Sequence, residues 1–351
     1  MSATLVLIKV KESFNSQYLL YALDSDVIKS QTNYLATGST RAALGIQQIR
    51  KFQLPLPSEN EQKQIANFLD HETARIDTLI EKQQQLIKLL KEKRQAVISH
   101  AVIKGLNPNA PMRDSGVEWL GDVPSHWIVC RLKHVKSNES YAFVDGPFGS
   151  NLKSEHFIDE GEVYVIESNF ATTGEIDTSK LKKISKQHFE TIKRSSTECG
   201  DIIIAKIGAR YGSSSILPML DKEAVVSGNS LKLTVNNLLV RNEYANELLR
   251  YLKNNEAMDE GVNVTAQPAL SLGGLNNLPF LKVPLNEQDD IVDYVNRAKC
   301  KYGKLIQNAE KFVVLSQERR AALISAAVTG KIDVRDWKAL EQNPANKEVT
   351  A

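Results

Sequence analysis

Three stretches of this 351-residue chain combine residue types that do chemistry. Asp145-Gly146-Pro147-Phe148 sets a carboxylate, a rigid turn and an aromatic ring in succession, one residue away from the Asp-Pro-Pro-Phe pattern that holds a base during amino-group methylation. The second position is Gly, and no Phe-x-Gly-x-Gly turn for a methyl donor accompanies it, so catalysis is set aside here. A glycine-rich loop followed by Ser150, Asn151 and Lys153 fits an approach to nucleic acid better, because backbone amides at glycine meet phosphates closely. A plain turn between two strands is the bland alternative. Asp201 and Lys206 suggest a metal-dependent nuclease core, but that arrangement needs a carboxylate two residues before the lysine, where Ile204 stands. No Gly-Lys-Ser/Thr occurs, so no phosphate-binding loop of a motor is present.

The third stretch, Lys206-Ile207-Gly208-Ala209-Arg210-Tyr211-Gly212, joins a strand to the polar run Ser213 to Ser215 and forms a tight turn presenting Lys206, Arg210 and Tyr211. Arginine pairs bidentately with guanine edges, while lysine and tyrosine bind phosphate; a solvated hairpin is the competing reading. Asn169, Asn229 and Gln267 occupy similar polar turns and suit adenine edges, although Asn in a turn also serves the backbone. The six histidines are scattered, and Cys130, Cys199 and Cys300 lie far apart without ligand spacing, so neither a metal site nor a disulfide framework is indicated. His126 beside Trp127 reads as packing. A net charge of +2 admits nucleic acid without demanding it. No stretch approaches the roughly 18 apolar residues of a membrane span, and no signal peptide is apparent, which leads us to expect a soluble, cytoplasmic protein.

The elements that must position these residues start with Thr4 to Val10, expected to be a short strand, and a helix from Tyr18 to Leu23. Asn33 to Ser39 reads as a polar loop, and Pro55 and Pro57 fix an extended entry to a long helix from Glu61 to Val102. Ser58 and Glu61 form its capping box. Ile65, Leu69, Ile76, Leu79, Leu86, Leu90 and Val97 follow steps of four and three, a coiled-coil seam. Asn107 to Pro111 carries turn chemistry. Strands are expected at Val163 to Ile166, Ile202 to Ile207 and Leu231 to Val235, with helices at Lys186 to Ile192 and Tyr244 to Leu252. A second long helix runs from Glu287 to Val328, its seam including Ile291, Val295, Tyr302, Leu305, Phe312 and Leu323.

The two long helices are copies. An ungapped offset of 226 residues pairs Glu61-Gln62 with Glu287-Gln288, Leu79 with Leu305, and Ala96-Val97-Ile98-Ser99 with Ala322-Leu323-Ile324-Ser325. Upstream the match fades: Ser2 to Val10 is similar to Ser227 to Val235. The first 52 or so residues thus look like the tail of a domain whose full version is Trp127 to Pro279. We expect an α+β chain with pseudo-two-fold symmetry, in which two helices of about 42 residues, roughly 63 Å long, form an antiparallel coiled coil. Matching basic clusters, Lys91, Lys93 and Arg94 with Arg319 and Arg320, read as a solvated face or as contacts to phosphates or acidic partners.

Together these features resemble the specificity subunits of type I restriction-modification enzymes. The carriers are Gly121-Asp122-Val123-Pro124-Ser125-His126-Trp127 with Arg131-Leu132-Lys133, Gly146-Pro147-Phe148-Gly149-Ser150, Gly200-Asp201-Ile202-Ile203-Ile204, and Ala327-Val328-Thr329-Gly330-Lys331-Ile332. The resemblance implies target-recognition domains that each read half of a split site in double-stranded DNA. It implies helices that space them and dock modification (methyltransferase) subunits, which carry the S-adenosylmethionine chemistry, while a restriction subunit carries motor and nuclease. The chain itself is expected to be non-catalytic and to hold no cofactor or metal.

The departure from the family pattern is expected at the N-terminus, where most of a first recognition domain reads as absent. Residues 1–53 read as its C-terminal remnant, 54–105 as the central helix, 106–126 as a linker, 127–280 as the complete recognition domain, 281–335 as the distal helix and 336–351 as a polar tail. A gene fragment, a shortened chain and one that self-associates through its helices remain open, as does an inhibitory module that docks modification subunits without productive targeting.

Overall fold

Among the described residues, four helices lie before residue 105: α1 (Ser16–Asp24), α2 (Asp26–Leu35), α3 (Ile46–Ile49) and α4 (Glu59–Lys104). The computed structural model describes residues 6–11, 14–36, 44–259, 262–263 and 269–339. The expected capping box starts α4: the Ser58 amide donates to Glu61 Oε2 at 3.0 Å, and the Glu61 amide donates to Ser58 Oγ at 3.4 Å. The Ser58 hydroxyl also donates to Glu61 Oε2 at 2.6 Å, and this bond, with that of the Ser58 amide second, holds the Glu61 carboxyl below its ordinary value. Gly105, at φ 74°, ends the helix in the left-handed conformation that glycine adopts without a Cβ penalty.

Strands and helices then alternate: β1 (Met112–Asp114), β2 (Asp122–Pro124), β3 (Ile128–Arg131), β4 (Phe143–Asp145), β5 (Val163–Ile166), α5 (Ser168–Thr173), β6 (Lys182–Ile184), α6 (Lys186–Thr191), β7 (Ser196–Thr197), β8 (Ile202–Ala205), β9 (Ser214–Ile216), β10 (Glu223–Val226), β11 (Ser230–Leu233), α7 (Asn242–Asn254), β12 (Val262–Asn263), β13 (Ala269–Leu270), α8 (Leu272–Asn277), β14 (Pro279–Lys282) and α9 (Leu285–Val328). The chain divides into two units, Met1–Glu92 with Tyr302–Ala351, and Lys93–Lys301.

In the first unit, Tyr18, Tyr21 and Ala22 of α1 join Ile65, Phe68 and Leu69 of α4 and Ile324, Ala327 and Val328 of α9 in one apolar core. Trp337 closes it edge-on to Phe68, with ring centroids 5.4 Å apart. Burial pushes the Tyr18 hydroxyl up to about 12, and it donates to the Pro55 carbonyl at 2.9 Å. The strand expected over Thr4 to Val10 is not formed: residues 6–11 are outside any regular element and Leu7 is 64% exposed, while positions 4 and 5 lie outside the described residues. The physical reason is pairing. Its counterpart β11 is laddered on both sides, by β4 and β8, whereas every described strand lies in the second unit. Apolar β-branched residues make a strand only where a partner takes their backbone groups. The predicted loop at Asn33 is the end of α2, and positions 37–39 of it fall outside the described residues.

The second unit holds two four-stranded sheets, ordered β6-β5-β10-β7 and β4-β11-β8-β9, antiparallel except for the parallel pair β5 and β10. Alternation along β8 builds the layers. Ile202 and Ile204 face Leu248 and Leu249 of α7, and Ile203 and Ala205 face Tyr164, Ile166 and Val226 of the other sheet. The far side of that sheet, Val163, Val165 and Val225, is covered by Phe189 of α6. Trp127 is buried, and its Nε1 donates to Glu287 at 3.0 Å while His126 meets the same carboxylate at 2.8 Å. The segment read as a linker carries the β1–β2 hairpin, with Leu120 and Val123 in the core.

Both long helices keep their expected extents within two residues, but part of the seam is one residue out of register. Leu79 and Leu86 of α4 are 48% and 42% exposed, and Leu305 and Phe312 of α9 are 42% and 41% exposed. The less exposed track is Leu69, Thr73, Ile76, Ile80, Gln83, Ile87, Leu90, Arg94, Val97 and Ala101. In α9, Ile291, Val295, Ile306 and Ala309 are buried, and Tyr302 and Leu323 half-buried. Leu79-Ile80 and Leu86-Ile87 each offer two consecutive apolar residues, so counting heptads does not select the inward one.

The repeat extends to hydrogen bonds. Gln62 Oε1 accepts the Asn15 amide at 2.8 Å and Gln62 Nε2 donates to the Pro57 carbonyl at 3.0 Å. At the same offsets, Gln288 Oε1 accepts the Arg241 amide at 2.7 Å and its Nε2 donates to the Val283 carbonyl at 2.7 Å.

Candidate nucleic-acid interface

The predicted contact residues sit on loops that leave one end of the two sheets. β4 and β8 finish where β11 and β9 begin, because Asp145 pairs with Leu231, Ala205 with Ser230, and Ile204 with Ser214. The short turn 227–229 carries the chain from β10 to β11 at that end, and β5, in register with β10, also finishes there. The structure thereby brings together the stretch after Asp145 with Ser150 and Asn151, the turn with Asn229, the loop with Lys206, Arg210 and Tyr211, and the start of α5 with Asn169. Gln267 lies outside the described residues.

Asp145 fixes this end. Its carboxylate is 8% exposed and receives Arg194 Nη2 at 2.7 Å on one oxygen and Lys206 Nζ at 3.0 Å on the other. Its carbonyl accepts Ser195 Oγ at 2.9 Å. Lys206 follows β8 directly, its amide donates to the Asn229 carbonyl at 2.9 Å, and its ammonium lies 4.8 Å from the centre of the Phe148 ring. Two cations on one carboxylate leave a surplus positive charge at the loop end. Phe148 is 67% exposed, an aromatic surface on which a base can stack. Asp145, Arg194 and Phe148 were not among the predicted site residues. Phe148 was visible inside the Gly-Pro-Phe-Gly-Ser motif, but Arg194 stands 49 residues from Asp145, and nothing local links the two.

Gly146 has a different role from the one its loop suggests. It is buried, a Cβ there would sit 1.9 Å from the Ser227 carbonyl oxygen, and its amide donates to the Ser230 carbonyl at 3.0 Å. Glycine is required so that two loops can pack, and its amide is not available to a phosphate.

The remaining predicted residues differ in freedom. Arg210 is exposed, and no side-chain hydrogen bond or ion pair joins it to a described residue. Tyr211 donates to Asp259 at 2.5 Å, and Lys253 Nζ lies 3.7 Å from its ring centre. The bond to the Asp259 carboxylate, with burial second, pushes its hydroxyl up to about 12, so it stays a donor at neutral pH. Asn169 and Asn229 are exposed; Asn169 Oδ1 accepts the Phe170 amide at 2.8 Å, leaving its amino group outward. The Asn151 carbonyl meets His188 Nε2 at 2.9 Å, and Lys153 is exposed with Glu155 at 3.7 Å. No group of His, Cys, Asp and Glu among the described residues is arranged to hold a metal, and no described helix is long and apolar enough to cross a membrane.

Comparison with known proteins gives one consistent family. Residues 1–89 match the model of the type I restriction modification DNA specificity domain. The chain is 24% identical over 347 residues, 96% of its length and 75% of the relative's, to the MjaVIII type I restriction enzyme specificity subunit of Methanocaldococcus jannaschii. It is 27% identical over 206 residues, 57% of its length and 41% of the relative's, to the EcoBI type I restriction enzyme specificity subunit of Escherichia coli. Among solved structures, one chain of a type I R-M system described for its assembly and conformational transition superposes with a TM-score of 0.72 at 16% identity, covering 90% of this chain and 71% of that one. The HsdS subunit from Thermoanaerobacter tengcongensis gives 0.52 at 17% identity, covering 92% and 72%.

Proposed function

From the premise that this chain belongs to the specificity subunits of type I restriction-modification systems, we propose that it reads a DNA half-site with the loop end built on Asp145, and that it performs no chemistry of its own. The observation that carries this reading is the convergence at one sheet end of Lys206, Arg210, Asn229 and the exposed Phe148, with surplus positive charge and with Arg210 unengaged by any described residue. Lysine and Arg194 serve phosphate, Arg210 a base edge, and Phe148 a stacking or wedging contact. Methyl transfer with S-adenosylmethionine, translocation and cleavage belong in this reading to the modification and restriction subunits.

The helices are the docking surface for the modification subunits. In the first unit α4 and α9 run antiparallel as a coiled coil, supported by Arg320 Nε on Asp77 at 2.9 Å and Lys91 Nζ on Glu310 at 3.5 Å, with Ile65 and Val328 in the shared core. The exposed residues Leu79, Leu86 and Leu89 recur 226 residues on as Leu305, Phe312 and Leu315, all exposed. A repeated outward apolar row is what two copies of one partner would use.

The test is Arg210→Ala. Affinity for a cognate duplex, measured by anisotropy, should fall about ten-fold or more, as expected for loss of a bidentate base contact, with thermal stability unchanged because the side chain is exposed and makes no hydrogen bond or ion pair with a described residue. Unaltered cognate affinity would remove the loop from the reading end.

A further inference from the structure

The second unit contains a cavity of about 410 Å³ lined by residues of α4, α5, α7, α9 and the start of β9, and its charge is one-sided: Arg94, Arg250, Lys253 and Lys299 against the single carboxylate of Glu247. That carboxylate is already held by Lys299 at 2.7 Å. Lys253 lies over the Tyr211 ring. Arg94 and Arg250 have no carboxylate within ion-pair distance among the described residues.

The internal repeat shows what is unusual about the two arginines. Arg94 corresponds, at the offset of 226, to Arg320. In the first unit Arg320 is neutralised twice, by Asp77 at 2.9 Å and by Asp24 at 3.4 Å. The residues at the same offset from those two aspartates are Gly303 and Arg250. Where one copy sets an arginine against two carboxylates, the other removes one carboxylate and replaces the second with a further arginine. Two guanidiniums on one cavity are unfavourable without a counter-charge, and no described carboxylate pairs with either of them. A second observation concerns Ser214, which is 2% exposed and lines the cavity, and whose Oγ has no hydrogen-bond partner among the described residues. A buried hydroxyl left unpaired calls for a polar ligand.

We propose that this cavity is a phosphate-binding site, in which the Arg94 and Arg250 guanidiniums, the Ser214 hydroxyl and the Lys253 ammonium receive the oxygens of one phosphate group. A tetrahedral oxyanion accepts donors from several directions at once, which suits donors on three different elements better than a planar carboxylate does. The phosphate has two sources, a free polyphosphate or the backbone of bound DNA, since Ser213 and Ser214 directly follow the Arg210 loop. The site rests on the comparison between repeats and not on the base-reading assignment of Arg210.

The experiment uses the full chain at about 50 mM salt, where phosphate contacts are least screened. Tripolyphosphate binding is followed by calorimetry, and binding of a labelled duplex by anisotropy, for the wild type, Arg94→Gln and Arg250→Asp. Arg250→Asp recreates the pairing of Asp24 with Arg320, so it should leave the melting temperature equal or higher while weakening tripolyphosphate binding at least about ten-fold. Arg94→Gln should weaken it comparably. Loss of tripolyphosphate binding with duplex affinity unchanged identifies a free polyphosphate, and loss of both identifies the DNA backbone. A wild type that binds neither probe, or variants that bind both as the wild type does, overturns the proposal.

Discussion

Replacing Asp145 with asparagine isolates the interaction that shapes the reading end. The carboxylate is 8% exposed and the Lys206 side chain 14%, so this is a nearly buried pair, whereas Arg194 is 52% exposed. Breaking a buried pair by removing one partner costs about 3–5 kcal/mol, because the other charge is left uncompensated. Asparagine keeps the volume and one acceptor oxygen, which places the loss near or below the lower end of that range. The half-exposed Arg194 adds only a few tenths of a kcal/mol after solvent screening. We therefore expect Asp145→Asn to destabilise the second unit by about 2–3 kcal/mol, and at about 2–4 °C per kcal/mol for a unit of about 200 residues the melting temperature falls by about 4–12 °C. The assay is calorimetry within a double-mutant cycle. In a Lys206→Met background no buried ammonium remains to be orphaned, and the same substitution should cost less than about 1 kcal/mol, giving a coupling near 2 kcal/mol. An equal cost in both backgrounds would refute the reasoning, since Asp145 would then not be what holds Lys206 against Phe148.

The docking row is tested by Leu86→Asp with Phe312→Asp: both side chains are exposed, so helicity and DNA affinity should hold while co-purification with a modification subunit weakens about 100-fold, and retained association would place docking elsewhere. The paired glutamines give a graded result. Gln288 serves the Arg241 amide and the Leu239 and Val283 carbonyls, whereas Gln62 serves the Asn15 amide and the Pro57 carbonyl. At about 1 kcal/mol or more for each buried backbone group left unmet, Gln288→Ala should cost about 1 kcal/mol more than Gln62→Ala in urea denaturation, and the reverse order would contradict the hydrogen-bond assignment.

What the sequence disclosed follows from the range of the interactions involved. Val163–Ile166 was legible as a strand because an unbroken run of β-branched and aromatic residues is what burial on both faces requires. The long helices were legible because Ser58, Glu61 and the closing glycines act within a few residues. Inward choice at Leu79-Ile80, pairing for the N-terminal segment, and the union of Asp145 with Arg194 and Lys206 depend on residues tens of positions away, and composition around each site is silent on them. The repeat supplied the missing comparison, since each copy is a control for the other. Where the copies agree, as in Gln62 and Gln288, the shared hydrogen bonds account for the residue by architecture alone. Where they part, architecture no longer explains the choice: the segment 6–11 pairs with no described strand while β11 is laddered by β4 and β8, and Arg94 meets no described carboxylate while Arg320 meets two. The second contrast leaves the fold intact and changes only the charge of a cavity, which is the kind of difference that a ligand, and not packing, has to balance.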